Sequence, residues 1–195
     1  MSRLILASAS PRRKELLDLL GVEYRVEPSR YEEQVPERHP HPGVLAVHLA
    51  EAKAAETASR VEPGSVVVGA DTLVALGDRL FGKPRDRADA VRMLTELSGR
   101  SHEVVTGVAL LVGARRRLFW SRTEVVFHPL TASEIEAYVD TGEPMDKAGA
   151  YAIQGFGAVL ISEIRGDYAT VVGFPIARVA RALAAEGIGG RVIRD

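Results

Sequence analysis

Hydrophobic residues occur along the chain in short runs, which are separated by polar segments that contain helix-starting and helix-ending residues. Residues 4–7 are predicted as a short buried strand. A helix is predicted to follow, with Ser10 as its N-cap and Pro11 in its first position. A second helix is predicted over 43–59. The uninterrupted apolar run over 65–70 is typical of a strand that is covered on both faces.

Turn and capping residues divide the rest of the chain. Gly77 and Asp78 separate two apolar runs, so we predict a tight hairpin there. Capping residues and glycines predict three more helices, over 86–97, from 131 to about 142, and over 175–186. The other apolar segments predict four strands, over 103–112, 118–127, 158–165 and 168–172. We expect an arginine-rich turn between the first two of these strands and a hairpin across Gly166 and Asp167 between the last two.

Helices and strands mix along the chain, and hairpins interrupt their alternation. This pattern favours an α/β or α+β fold with a mixed sheet over a purely parallel doubly wound sheet. We expect one elongated sheet that is flanked by helices in two lobes. The length of 195 residues fits a single domain over 1–195 that contains both lobes.

The composition excludes several classes of protein. A hydrophobic content of 46% is that of a globular chain, and no apolar run approaches the roughly 20 residues of a membrane span. The absence of cysteine excludes disulfide scaffolds, thiolate nucleophiles and zinc–cysteine sites. A net charge of −1 disfavours a general nucleic-acid binder. We expect a soluble cytoplasmic protein with no nucleic-acid or membrane partner.

Lysine is rare among the cations. It occurs only at Lys14, Lys53, Lys83 and Lys147, whereas Lys and Arg together number 25. Arginine and lysine differ in geometry and hydration, so we hypothesise that the positions that remain lysine require a compact ammonium group.

The predicted first helix carries Arg12 and Arg13 in its first turn. Cations there oppose the positive end of the helix dipole, and an anion bound at the helix N-terminus would remove that conflict. Serine hydroxyls and guanidinium groups would then converge on the anion. The alternative is two solvated arginines on a surface helix. No Walker A sequence is present.

Asp71 and Thr72 directly follow the buried run over 65–70, so they are expected at the carboxyl end of a strand, where α/β proteins bind ligands. Asp71 could bind a hard cation, act as a general base, or do both, and the alternative is a turn-capping role. Glu32 and Glu33 could complete a magnesium or manganese site beside Asp71, or they could belong to a solvated acidic loop.

Other candidates lie in defined local contexts. Lys83 stands between Gly82 and Pro84, and a lysine held in this way suits a phosphate oxygen. Lys53 could point into a cleft or pair with Glu56 in solvent. Gln154 lies in a glycine-rich segment, and its amide can donate to and accept from a base edge. An ordinary glycine-rich connection is the alternative for that segment.

Five segments occur in the order and spacing of one family: LILASASPRRKELL, GADTLV, FGKP, SGRSHEVVTGVAL and DKAGAYAIQGFGA. Over nearly its whole length the chain resembles the Maf family of nucleoside triphosphate pyrophosphatases. The resemblance implies a Maf/inosine-triphosphatase-like α/β fold, with an elongated mixed sheet flanked by helices and a cleft between two lobes. It also implies a protein that is often dimeric, and it implies cleavage of a nucleoside triphosphate between the α and β phosphates with a divalent metal, Mg or Mn.

The resemblance also implies roles for individual residues. Asp71 matches the catalytic acid/base position and, with Glu33, the metal site. Positions tied to substrate choice are matched by Arg12, Thr72 and Gln154, and the polar lining of the pocket by Ser8, Arg13, Glu33, Lys53 and Lys83. The segment YAIQG resembles the branch that acts on thymidine and uridine triphosphates. A second hypothesis is a nucleotide-binding regulator of septum formation, a role that is linked to the family name.

Overall fold

The computed structural model describes residues 3–32 and 41–193. Its seven strands are β1 (Leu4–Leu6), β2 (Tyr24–Val26), β3 (Val66–Leu76), β4 (Arg79–Phe81), β5 (Ser101–Val112), β6 (Arg115–Phe127) and β7 (Ile161–Arg165). Its six α-helices are α1 (Pro11–Asp18), α2 (Pro42–Ala58), α3 (Arg87–Leu97), α4 (Ala132–Asp140), α5 (Tyr168–Val172) and α6 (Ile176–Ala184). Three 3₁₀ turns cover Glu143–Asp146, Ala148–Ala150 and Gly155–Leu160.

The described strands form one mixed sheet in the order β2-β1-β3-β5-β6-β7, and β4 pairs with β3. Strand β1 runs parallel to both of its neighbours, and Leu6 lies opposite Val26 on one side and Val68 on the other. Strand β4 is antiparallel to β3, and β7 is antiparallel to β6. The predicted α/β class with a mixed sheet flanked by helices is therefore confirmed.

The chain divides into two compact units. The first contains Met1–Asp71, Thr106–Ser121 and Gly173–Asp195, and the second contains Thr72–Val105 and Arg122–Val172. The long strands β3, β5 and β6 each contribute residues to both units. No helix in the described part of the chain is both long enough and apolar enough to cross a membrane.

In the first unit, the period-two alternation of strand side chains buries both faces of the sheet. Leu4, Leu6, Val66 and Val68 share one apolar cluster with residues of α1 and α6, such as Leu17 and Leu183. The intervening residues share another with α2, whose members include Ile5, Ala7, Val67, Ala50 and Ala54. Because both faces are covered, these strands contain nearly continuous apolar runs.

Gly69 of β3 allows α2 to approach the sheet closely. A Cβ atom at this position would lie 2.5 Å from the carbonyl oxygen of Ala50 and 2.9 Å from the Cβ of Ala54. Any larger side chain would therefore push the helix away from the strand.

The second unit has one main core. It includes buried residues of α3 and α4, such as Leu94 and Ile135, together with Val125 and Phe127 of β6. The 3₁₀ segments contribute Tyr151 and Leu160 to the same cluster. The predicted helix starts are confirmed here: the Asp86 side chain caps α3, and Thr131 and Glu134 form a capping box on α4.

In the second half of the chain, one strand prediction is wrong and another begins too early. Residues 168–172 form helix α5, because the Asp167 carboxylate accepts hydrogen bonds from the main-chain N–H groups of Ala169 (3.2 Å) and Thr170 (3.0 Å) and so caps a helix. The strand predicted over 158–165 begins only at Ile161, and it pairs with β6, where Arg165 lies opposite Glu124.

The position of the arginine-rich turn is also corrected. The turn between β5 and β6 is formed by Gly113 and Ala114, and the arginines belong to the first residues of β6. All three are held there by carboxylates: Arg116 pairs with Glu51 at 3.3 Å, and Glu186 pairs with Arg115 at 2.8 Å and with Arg117 at 2.7 Å. The predicted hairpin across Gly77 and Asp78 is confirmed, with Leu76 opposite Arg79.

A buried histidine lies within the core of the second unit. His102 is 2% exposed, and its Nε2 lies 2.8 Å from the hydroxyl of Tyr151. The rings of His102, Phe127 and Tyr151 pack edge to face, with centroids 4.8–5.4 Å apart. Burial lowers the pKa of His102 from 6.5 to about 4, because the charged imidazolium is poorly solvated there.

We predict that His102 makes the protein less stable in mild acid. The unfolded chain takes up a proton near pH 6.5 while the folded chain resists it, so the stabilisation is present above the unfolded pKa and is lost as the pH falls towards the folded value. From this group alone, the free energy of unfolding should drop by about 2 kcal/mol between about pH 7.5 and pH 5. Urea unfolding of the wild type and of His102→Gln at both pH values tests this, and an equal drop in the two proteins would contradict it.

Candidate functional site

The loop after β1 holds a buried serine and an anchored arginine. Ser8 is 8% exposed, and its Oγ accepts hydrogen bonds from Ser10 N and from Arg13 Nη1, both at 3.2 Å. Arg13 Nε donates to the carbonyl oxygen of Gly173 at 2.9 Å. The guanidinium group of Arg13 is therefore fixed beside the start of α1, and the alternative of a solvated surface arginine is wrong for this residue.

The N-terminus of α1 has the features of an anion site. Ser10 has N-cap geometry but makes no side-chain capping bond, Pro11 occupies the first turn, and no acidic residue is present in that turn. Arg12 is half-buried in the same turn. The main-chain N–H groups and the two arginines therefore give this end of the helix a positive potential with no capping carboxylate to offset it.

Asp71 lies inside β3, not at its carboxyl end as the sequence predicted. It shares a face of the strand with Val67 and Gly69, which is the face covered by α2. Lys53 of α2 lies above it, with Nζ 2.5 Å from Oδ1 of Asp71. The two side chains are only 14% and 6% exposed. The ammonium group balances the buried carboxylate, and the strand continues through Asp71 to Leu76.

This ion pair also decides between the two expectations for Lys53. Pairing with Glu56 is wrong, because Glu56 instead accepts hydrogen bonds from Arg60 Nε at 2.7 Å and from Arg30 N at 2.8 Å. Lys53 is held away from solvent with its charge directed at one carboxylate oxygen.

In the first unit, the candidate residues gather at one end of the sheet. Leu6 lies opposite Val68 in the parallel pair β1–β3, Ser8 is two residues past Leu6, and Asp71 is three residues past Val68. The buried carboxylate and the serine–arginine loop are thus both at the carboxyl end of β1.

The second unit contains three further candidates. Thr72 follows Asp71 in β3 and is half-buried, and Lys83 is exposed just after β4. The neighbouring Gly82 accepts a hydrogen bond from Gly149 N at 3.0 Å, which ties the lysine segment to the glycine-rich segment. Gln154 is half-buried and has extended backbone geometry between two 3₁₀ turns.

A divalent cation is compatible with the acidic residue that is present. Magnesium is usually bound through one or two carboxylates together with substrate phosphates and water, and Asp71 supplies one carboxylate. Glu33 lies outside the described residues. Within residues 3–32 and 41–193, no group of three or more His, Asp or Glu side chains could hold a metal ion by itself.

A separate groove in the first unit has a volume of about 450 Å³ and lies between β6 and α6. Its lining includes Arg116, Arg117 and Arg178. The first two are paired with carboxylates as described above, and Arg178 lies over the ring of Phe119 at 4.6 Å and donates to Ser121 Oγ at 3.1 Å. These arginines have structural partners, so we do not assign the active site to this groove.

Comparison with known proteins gives consistent matches. A family model described as Maf-like protein matches residues 3–186. A dTTP/UTP pyrophosphatase of Bacillus pumilus (strain SAFR-032) is 48% identical over 188 residues, which are 96% of this chain and 98% of that protein. Proteins of the same name from Desulforamulus reducens and Moorella thermoacetica are each 50% identical, over 96% and 98% of this chain and 98% and 100% of their own lengths.

We predict that the Lys53–Asp71 pair contributes strongly to stability. Lys53→Met leaves a buried carboxylate without its counter-charge, so the free energy of unfolding should fall by roughly 3 kcal/mol. The double variant Lys53→Met/Asp71→Asn should recover much of that loss, because no charge is then buried. Urea unfolding measures both, with Lys14→Met, at an exposed position of α1, as the control. If the double variant is as unstable as Lys53→Met, the loss of stability comes from altered packing and not from the unpaired charge.

Proposed function

Because the chain belongs to the Maf family, we propose that it is a nucleoside triphosphate pyrophosphatase that hydrolyses dTTP and UTP to the monophosphate and pyrophosphate. The observation that carries the proposal is sequence identity of 48% and 50% to proteins named dTTP/UTP pyrophosphatase. The matches cover nearly the full length of this chain and of each relative. The buried carboxylate and the positive helix N-terminus described above are the groups that such a reaction needs.

In this proposal the cationic groups bind the triphosphate, which is a polyanion. The N-terminus of α1, with Arg12, Arg13 and Ser8, offers main-chain and side-chain donors to phosphate oxygens. Lys83 is proposed to supply a further ammonium group. Positioning and charge stabilisation provide most of the catalysis in phosphoryl chemistry, so fixed donors of this kind favour the reaction.

Asp71 is proposed as the general base. Its carboxylate takes a proton from water, the water oxygen attacks the α-phosphorus, and the bond to the α–β bridging oxygen breaks so that pyrophosphate leaves. Lys53 holds the carboxylate through the 2.5 Å contact and thereby fixes the direction in which it accepts the proton.

We also propose a requirement for magnesium or manganese. Asp71, together with Glu33, would hold the ion through carboxylate oxygens. When bound, a divalent cation neutralises phosphate charge and polarises the phosphoryl oxygens.

Base recognition is assigned to Gln154, with Arg12 and Thr72 contributing to substrate choice. The amide of Gln154 has both a donor and an acceptor, which suits the O4/N3 edge shared by thymine and uracil. A cytosine edge presents the opposite pattern, which the amide matches only when its oxygen and nitrogen exchange places, so discrimination in this proposal requires the amide to be held in one orientation.

The proposed role is to remove unwanted nucleotides from the cytoplasmic pool, with modified pyrimidine nucleotides among the substrates. In this proposal the protein forms homodimers and does not bind nucleic acid. A regulator of septum formation is not favoured, because the similar proteins are named for an enzymatic activity.

We predict that Asp71→Asn lowers pyrophosphate release from dTTP and UTP by a factor of about 10² to 10⁴, the usual cost of losing a general base. Incubation with magnesium, followed by separation of monophosphate, diphosphate, phosphate and pyrophosphate, measures the products. Asp78→Asn, in the β3–β4 turn, is the matched control. A chelator should abolish the wild-type reaction. Diphosphate and phosphate as products would move the cut to the β–γ bond and contradict the mechanism.

We predict that Gln154→Ala lowers discrimination between bases more than it lowers turnover. The ratio of kcat/KM for dTTP to that for dCTP should fall by about tenfold, because the phosphate contacts remain. Val159→Ala, at an exposed position of the same segment, serves as the control. Equal losses for all nucleotides would contradict the assignment of base recognition to Gln154.

A further inference from the structure

Two side chains of the second unit hold the main chain on both sides of Gln154. The hydroxyl of Tyr138, which is buried on α4, donates to Glu143 Oε1 at 2.8 Å and accepts from Ala152 N at 3.1 Å. The carboxylate of Glu143 accepts from Phe156 N at 3.0 Å and from Gly157 N at 2.9 Å. We call Tyr138 and Glu143 the polar clamp.

The clamp fits the backbone that it holds. Gly155 has a φ of +71°, a conformation that favours glycine, and a Cβ atom there would lie 2.3 Å from Glu143 Oε2. Phe156 N and Gly157 N are in the first turn of the 3₁₀ segment Gly155–Leu160, where N–H groups have no partner within the helix. The carboxylate satisfies them, and its charge is favourable at that end.

Burial alone does not account for this network. Gly155 and Phe156 are exposed, and Phe156 is 67% exposed, so water could satisfy nearby main-chain groups. What the clamp adds is one conformation for residues 153–155. Because Ala152 is bonded before Gln154 and Phe156 after it, the main-chain position of Gln154, and with it the direction of its Cα–Cβ bond, is restricted from both ends.

We propose that Tyr138 and Glu143 are positioning residues that set the discrimination between nucleobases by holding Gln154 in one orientation. This inference rests on the proposed function, in which Gln154 contacts the base. Neither clamp residue is assigned a contact with the substrate. The cost of misplacing a recognition group appears mainly in KM for the preferred nucleotide, since the groups that carry out the chemistry are unchanged.

The test compares Glu143→Gln with a matched control on the same helix–turn region. An amide in place of the carboxylate presents a donor to one of the two N–H groups, so the clamp loses an acceptor without a change of size. Glu134→Gln is the control, because Glu134 also accepts a main-chain bond, from Thr131 N at 2.7 Å, but lies in the capping box of α4. Tyr138→Phe tests the same clamp through its second member.

For Glu143→Gln, the ratio of kcat/KM for dTTP to that for dCTP should fall by about tenfold, mainly through a higher KM for dTTP. Tyr138→Phe should act in the same direction, and Glu134→Gln should leave the ratio unchanged at a similar melting temperature. Amide hydrogen exchange should become faster at Phe156 and Gly157 in Glu143→Gln only. In a Gln154→Ala background the further effect of Glu143→Gln on the ratio should vanish, because both changes act through one contact.

The outcomes separate this inference from the proposed function. If Gln154→Ala lowers the ratio and Glu143→Gln does not, base recognition by Gln154 stands and the clamp is overturned. If Glu143→Gln lowers the ratio equally with and without Gln154, it acts on the base by another route, and positioning is overturned. If neither variant changes the ratio while dTTP and UTP are still hydrolysed, the proposed reaction is supported. Base recognition by Gln154 and its positioning by the polar clamp are then both overturned.

Discussion

A carboxylate buried within a covered β-strand constrains the whole first unit, because such a charge is costly unless it is paired. Lys53 meets this requirement only if α2 lies directly against β3. Gly69 removes the side chain that would prevent this approach, and Ala50 and Ala54 keep the facing side of the helix narrow. The packing of α2 and the placement of Asp71 therefore depend on each other. Small residues allow the close approach of the helix, and the ion pair balances the buried charge.

The second unit fixes its candidate recognition residue by a related device. Gln154 lies between two short 3₁₀ turns and not in a strand or an α-helix, so regular secondary structure does not set its orientation. The carboxylate of Glu143 and the hydroxyl of Tyr138 provide main-chain bonds in its place. In both units, then, a charged side chain holds a part of the chain that the proposed function uses: Lys53 contacts the carboxylate of Asp71, and Glu143 binds the main chain next to Gln154.

Local signals predicted the fold well, and non-local pairing accounts for the errors. Capping residues such as Asp86 and Thr131 act within four residues, so the sequence identified those helices. The end of β3 was misplaced, because an aspartate normally ends an apolar run and its partner is 18 residues earlier in the chain. Helix α5 was missed because TVV suggests a strand while Asp167 caps a helix. Of the site, Arg13 was identified, but its bond to Gly173, 160 residues away, leaves no local signal.

The surroundings of Lys53 give a physical reason why this position is lysine in a chain whose cations are mostly arginine. The ammonium group makes one short contact in a space that leaves the side chain 14% exposed. An arginine there would bring a larger, planar group with five N–H donors into the same space, and each donor left without an acceptor would be buried at a cost. A bidentate guanidinium would engage both carboxylate oxygens of Asp71, whereas the short contact of Lys53 is to Oδ1. In the proposed function, the compact ammonium group of Lys53 holds the carboxylate of Asp71 without the wider planar guanidinium group, which gives this position a reason to remain lysine in an arginine-rich chain.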